Sequence, residues 1–161
     1  MVPLSKGAPP AHWPPGFDRD ILLGGVDPFG AKRTRLMFVA QAGNVARLRW
    51  LLAQGARLEL RDCAGRTALY WASAKGRVEA VRELLARGAA VDTANNRDNG
   101  NRGATPLLIA SANGHLEVAR ELLARGAVVD AANSRGITAL SIASENGRLE
   151  VVRELQTWTL W

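Results

Sequence analysis

Leu84-Leu85-Ala86-Arg87-Gly88-Ala89 returns 38 residues later, unchanged, as Leu122-Leu123-Ala124-Arg125-Gly126-Ala127, and a near copy, Leu51-Leu52-Ala53-Gln54-Gly55-Ala56, lies 33 residues before it. Thr34, Thr67, Thr105 and Thr138 keep the same beat of 33, 38 and 33. Self-similarity at this period means one small supersecondary unit used several times. No single unit can bury its own apolar faces, so stacking must supply the core. An array of this kind offers a surface rather than a reaction centre.

The second unit shows the local logic. Asp62 to Arg66 is polar and contains Gly65, which is turn chemistry. Thr67 is placed to cap a helix, its hydroxyl accepting an orphan backbone N–H. A short Ala-rich helix, Ala68 to Lys75, stops at Gly76. A second helix, Val78 to Arg87, carries Val78, Val81, Leu84 and Leu85 on one face and stops at Gly88. In the third unit Pro106 follows Thr105, at the first helical position, where its missing N–H costs nothing. The units run over about 31–63, 64–96, 102–134 and 135–161, and a five-residue insertion near 96–101 stretches one interval from 33 to 38.

Gly103-Ala104-Thr105-Pro106-Leu107-Leu108-Ile109-Ala110, Gly114-His115-Leu116-Glu117 and Leu122-Leu123-Ala124-Arg125-Gly126-Ala127 together resemble the ankyrin repeat. The resemblance covers about residues 31–155. It implies an all-α solenoid of about four stacked helix-turn-helix units with β-turn or hairpin fingers. It also implies a non-catalytic scaffold or adaptor that holds another protein on its fingers and concave inner-helix face. The family's His after Thr-Pro-Leu is replaced by Met37, Tyr70, Leu108 and Ser141, and Thr34 is followed by Arg35 rather than proline.

Register lists the core. Leu36, Leu69, Leu107 and Leu140 align, as do Phe38, Trp71, Ile109 and Ile142, and Leu51, Leu84, Leu122 and Leu155. Small Ala72, Ala110 and Ala143 let inner helices approach. On the outer helices Glu79 with Arg82, Glu117 with Arg120 and Glu150 with Arg153 form i, i+3 pairs on an expected solvated face.

The net charge of +6 is uneven: residues 31–63 hold seven basic and two acidic side chains. Positions that vary between units and are expected to point outward for a partner are Lys32, Arg33, Arg57, Arg61, Arg66, Tyr70, Lys75, Arg87, Arg97, Arg102, Asn113, Arg135 and Glu145. Arg33, Arg66, Ala104 and Ile137 share one register, so the palm is expected to grade from cationic to neutral, and a partner at the first units to be acidic. The alternative is a polyanion or nucleic acid on the basic first unit. Against it, the chain shows no aromatic stacking platform and no groove-entering motif.

The ends differ from the units. Residues 1–30 hold six of the seven prolines and read as a leader, extended or disordered up to Gly16, with Phe17 to Leu23 a candidate cap over the first unit and over Trp50, joined by Trp13. Trp50 stands in the register of Glu83, Glu121 and Glu154. At the other end Trp158 and Trp161 either cover the exposed face, mediate weak self-association of an otherwise monomeric chain, or mark a shortened form of a longer array. The insertion Asn96-Arg97-Asp98-Asn99-Gly100-Asn101 contains a hairpin-turn dipeptide and too few acids for calcium.

Chemistry has little to stand on. His12 lies in the leader, and His115 opens an outer helix. No phosphate loop, nucleophile elbow or zinc motif is present, so no enzyme, cofactor or metal is expected. Cys63 is the single cysteine, which suits a reducing compartment. With no apolar run of membrane length and no secretory signal, the expected location is intracellular, cytoplasmic or nuclear.

Overall fold

Each unit offers a threonine where a helix can start and a glycine near where it can stop. The computed structural model, which describes residues 22–23, 33–96 and 102–160, shows the result. Among the described residues there are eight helices in four pairs: α1 (Arg35–Ala42) with α2 (Val45–Ala53), α3 (Ala68–Ala74) with α4 (Val78–Ala86), α5 (Pro106–Asn113) with α6 (Leu116–Ala124), and α7 (Ala139–Glu145) with α8 (Leu149–Thr159). A two-residue strand, β1 (Leu22–Leu23), runs antiparallel to β2 (Arg33–Thr34). Trp13 and Phe17 to Ile21, the rest of the candidate cap, lie outside the described residues.

All four threonines cap as expected. Thr34, Thr67, Thr105 and Thr138 are extended, and each hydroxyl accepts the amide three residues on, from Met37 (3.3 Å), Tyr70 (3.3 Å), Leu108 (3.2 Å) and Ser141 (3.2 Å). A cap of this kind stabilises by about 1 kcal/mol. At α7 the Ser141 hydroxyl also accepts from the Thr138 N–H, closing a capping box.

The odd-numbered helices pack side by side in one layer and the even-numbered ones in a second. Between the layers lie Leu48, Val81, Leu84, Ala119, Leu122 and Leu155, all fully buried. Ala72, Ala110 and Ala143 have no exposed surface, which lets the inner helices close on one another. Phe38, Ile109, Leu140 and Ile142 are only partly buried. For Leu140 the reason is position: Leu36, Leu69 and Leu107, in the same register, are covered by a following unit.

Neighbouring units are joined by repeated polar contacts. On the outer helices Arg49 Nε meets Glu83 Oε2 at 2.8 Å, Arg82 Nε meets Glu121 Oε1 at 2.7 Å, and Arg120 Nε meets Glu154 Oε2 at 2.9 Å. The hydrogen bonds to Glu121 and Glu154 are the main reason that Arg82 and Arg120 hold their protons more tightly than a free arginine. Two of the expected i, i+3 pairs form, Glu79–Arg82 at 2.6 Å and Glu117–Arg120 at 2.8 Å. The third does not: no ion pair joins Glu150 to Arg153. Arg82 and Arg120 are each held by a glutamate of the next unit, and Arg153 has no such glutamate ahead of it among the described residues.

A second set of contacts links the inner helix ends. Arg77 Nε donates to the Gln41 carbonyl (3.1 Å), His115 Nε2 lies 3.2 Å from the Ala74 carbonyl, and Arg148 Nε donates to the Ala112 carbonyl (3.3 Å). His115 is thus an inter-unit strut. Its ring also packs on Gly76, where an added Cβ would lie 2.6 Å from Nδ1.

Candidate interaction surface

The fingers are built on one frame with different tips. Asp62 N–H donates to Arg66 O (3.0 Å) and Gly65 N–H to Asp62 O (2.8 Å). Asn133 N–H donates to Ile137 O (2.9 Å) and Gly136 N–H to Asn133 O (2.9 Å). In the long finger the same neck is closed by Asn95 N–H to Ala104 O and Gly103 N–H to Asn95 O, both 3.0 Å. The neck of the long finger is therefore that of the short ones, although five more residues of sequence separate its two sides. Residues 97–101, with the Asn99-Gly100 turn and Arg97, lie outside the described residues, as does Lys32.

The residue that opens each finger holds it with its side chain as well. Asp62 Oδ1 accepts Ala64 and Arg66 N–H groups, both at 2.9 Å, and Asn133 Oδ1 accepts Arg135 (2.9 Å) and Ile137 (3.0 Å). Asn95 Oδ1 accepts Ala104 N–H at 3.0 Å. Adjacent fingers are tied by Asn96 N–H to Ala64 O (2.9 Å) and Ser134 N–H to Arg102 O (2.7 Å).

The structure corrects the expected palm in one respect. Arg33 does not point outward: it is 8% exposed, and its guanidinium carbon lies 3.5 Å from the centre of a Trp71 ring and 5.6 Å from that of Phe38. Arg33 Nη1 donates to Gln41 Oε1 at 2.9 Å. Arg66 is half-buried on Trp71, 4.2 Å from a ring centre, with its Nε 2.9 Å from Asp62 Oδ2. Trp71 Nε1–H donates to the same Asp62 oxygen at 3.2 Å. The row Phe38, Arg33, Trp71, Arg66 is a stack of alternating rings and cations, with the buried carboxylate of Asp62 at one end. Tyr70 is likewise buried, at 6% exposure, against Ala104 and Leu108. Two of the arginines read as palm cations therefore belong to the framework, because an aromatic ring five residues on gives each guanidinium a flat apolar face to cover.

The remaining candidates stand on the surface: Arg57, Arg61, Lys75, Arg87, Arg102, Asn113, Arg135 and Glu145 are exposed. Arg61 and Arg135 belong to finger segments, with Arg102 at the foot of the long one. Lys75, Asn113 and Glu145 mark the ends of inner helices. Arg87 pairs with Glu83 of its own helix (3.2 Å), and Asn113 Nδ2 donates to the Ala74 carbonyl of the preceding unit (3.0 Å), so Asn113 also braces the stack. At the C-terminal end, Trp158 runs along α8 with Nε1 3.2 Å from Glu154 Oε1 and is 40% exposed. Trp161 lies outside the described residues.

Helix pairs of one pattern, stacked in two layers and joined by turn-built fingers, define a helical-hairpin repeat protein. A family model described as "Ankyrin repeats (3 copies)" matches residues 19–95 and 91–157, and the chain belongs to the ankyrin-repeat family. No curated protein matches the chain. Ankyrin repeats generally mediate protein–protein interaction. Among the described residues no helix is long and apolar enough to cross a membrane.

Proposed function

We propose that the chain is a non-catalytic scaffold or adaptor that holds another protein on its fingers and inner-helix ends, with the acidic part of that partner toward the first units. The observation that carries this reading is the frame with changing tips. The necks at Asp62, Asn95 and Asn133 share one hydrogen-bond pattern, while the residues they lift into solvent differ. Constant necks serve the stack; varied tips serve recognition. Among the exposed candidates Arg57, Arg61, Lys75, Arg87, Arg102 and Arg135 are cationic and Glu145 alone is acidic, which favours an acidic partner surface. Arg33 and Arg66 are covered by the Trp71 stack, which removes two cations from any phosphate-binding path.

A photo-reactive amino acid placed at position 61, 102 or 135, and at Glu79 on the outer face as control, tests this in extracts of the source cell. Crosslinks to one protein from the finger positions and none from position 79 are expected. Crosslinks from position 79 alone would contradict the assignment. Retention of the chain on heparin at physiological salt would favour the polyanion reading instead.

A further inference from the structure

The outer helices do not carry the same charge. α4, α6 and α8 each hold two glutamates and one arginine, whereas α2 holds two arginines, Arg47 and Arg49, and no acid. The difference falls at two registers. Ala46 stands where Glu79, Glu117 and Glu150 occupy the first turn of the other outer helices. Trp50 stands where Glu83, Glu121 and Glu154 each meet an arginine of the unit before.

The consequence is read at Arg49. Arg82 lies between two carboxylates, Glu79 of its own helix at 2.6 Å and Glu121 of the next unit at 2.7 Å. Arg120 lies between Glu117 at 2.8 Å and Glu154 at 2.9 Å. Among the described residues Arg49 meets Glu83 alone, at 2.8 Å, and its side chain is 62% exposed against 45% and 48% for the other two. It lacks the carboxylate of its own helix because Ala46 replaces that glutamate.

This face is solvent-facing whatever stacks on either side of it. Ala46, Arg49 and Ala53, at i, i+3 and i+7, lie along one exposed side of α2. Their register mates Glu79, Arg82 and Ala86, and Glu117, Arg120 and Ala124, are exposed too, in units that have a neighbour on both sides. The two alanines let a further helix lie close along α2. A carboxylate on that helix reaches Arg49 from the side that Glu79 takes on Arg82, as a charge-assisted hydrogen bond. A second copy of the chain does not offer that acid from α4 or α6, since Glu79 and Glu117 are held by Arg82 and Arg120.

We propose that the convex face of α2 docks an acidic helix of a second protein, one that sets carboxylates against Arg49 and small or apolar residues against Ala46 and Ala53. Charge complementarity specifies the occupant: α2 is the outer helix with cations and no acid, at the position where its sister helices supply their own. With one protein on the fingers and another on α2, the chain bridges the two.

The test titrates the full chain into a labelled helical peptide whose alanine–leucine stripe is flanked by glutamates, and into an isomer of the same composition with the glutamates scattered. Saturable one-to-one binding is expected, about tenfold or more tighter for the first peptide. Ala46→Glu gives α2 the carboxylate that α4 and α6 carry, so it keeps the fold, and it should weaken binding by about tenfold. Arg49→Gln should do the same, whereas Arg61→Ala with Arg135→Ala, in the fingers, should leave binding unchanged. Absence of binding, equal binding of the isomer, or equal binding by the Ala46→Glu chain overturns the proposal. A loss confined to the finger variant also overturns it, while leaving the fingers as a protein-binding surface. So does self-association of the chain that Ala46→Glu abolishes, because the face would then belong to a second copy.

Discussion

Asp62 does the work of two residue types at once. Its Oδ1 holds the finger as the asparagines at 95 and 133 do, and its Oδ2 holds Arg66 and the Trp71 indole. Asp62→Asn should therefore keep the turn and lose both the ion pair to Arg66 and the hydrogen bond from the Trp71 indole, because an amide nitrogen replaces the accepting oxygen, costing about 2–3 kcal/mol. Asp62→Ala leaves a half-buried guanidinium without its carboxylate and two finger amides without their acceptor, and should cost about 3–5 kcal/mol. Chemical denaturation of the two variants checks the order; equal losses would mean that the turn bonds contribute nothing. Tyr70, close by, gives a pH signature. Burial raises its phenol above the ordinary value of 10.0, against the opposing pull of the Arg66 charge and a hydrogen bond with Asn95. The folded chain keeps a proton that the unfolded chain releases from about pH 10, so stability held below that pH is lost as pH rises past it. Thermal melts between about pH 9 and 11 should fall more steeply for the native chain than for Tyr70→Phe, and matching slopes would contradict the burial argument.

At the scale of elements, the sequence shows most where a rule is local. The threonine caps, the glycine stops and the short inner helices were legible because each depends on a few neighbouring residues. The contact of Arg82 with Glu121 was not, since the two lie 39 residues apart and the chain shows only the local partner, Glu79. The burial of Arg33 and Arg66 is hidden from the sequence for a related reason. A cation in a finger register looks solvent-bound until the ring five residues on, Phe38 or Trp71, is seen to lie beneath it. Gly76 and Gly147 isolate the inter-unit part of such a position. Both have φ +66°, so alanine costs about 1 kcal/mol of backbone strain at either. At Gly76 the methyl also meets the His115 ring, which adds about 1–3 kcal/mol. Denaturation midpoints should separate Gly76→Ala from Gly147→Ala by that difference, and coincident midpoints would remove His115 as a packing strut. The long finger makes the opposite prediction. Because its neck closes as the short ones do, deleting residues 97–101 should change stability by about 1 kcal/mol or less, as read by the same denaturation; a large loss would mean that the insertion packs on the stack.

The whole molecule is a nearest-neighbour array, in which each unit is stabilised by the interfaces it makes. The family and the stacking order were legible from the repeated Leu-Leu-Ala-x-Gly-Ala read together with the Gly103–Ala110 and Gly114–Glu117 motifs. The interaction surface was legible only in part. Register identifies positions that vary, but which of them a neighbouring unit buries is settled by contacts between units, as Tyr70 and Arg33 show. What remains outside, at Arg61, Cys63, Arg102, Ser134 and Arg135, is a set of tips on a common frame. The central claim is that recognition resides in those tips and not in the stack. It is tested by one comparison of partner capture, quantified by mass spectrometry, between the native chain and a variant with Arg61, Cys63, Arg102, Ser134 and Arg135 replaced by glycine or alanine and residues 97–101 deleted. With helicity and melting retained, the account predicts that the protein most enriched by the native chain is lost from the variant. Undiminished capture by the folded variant would contradict it.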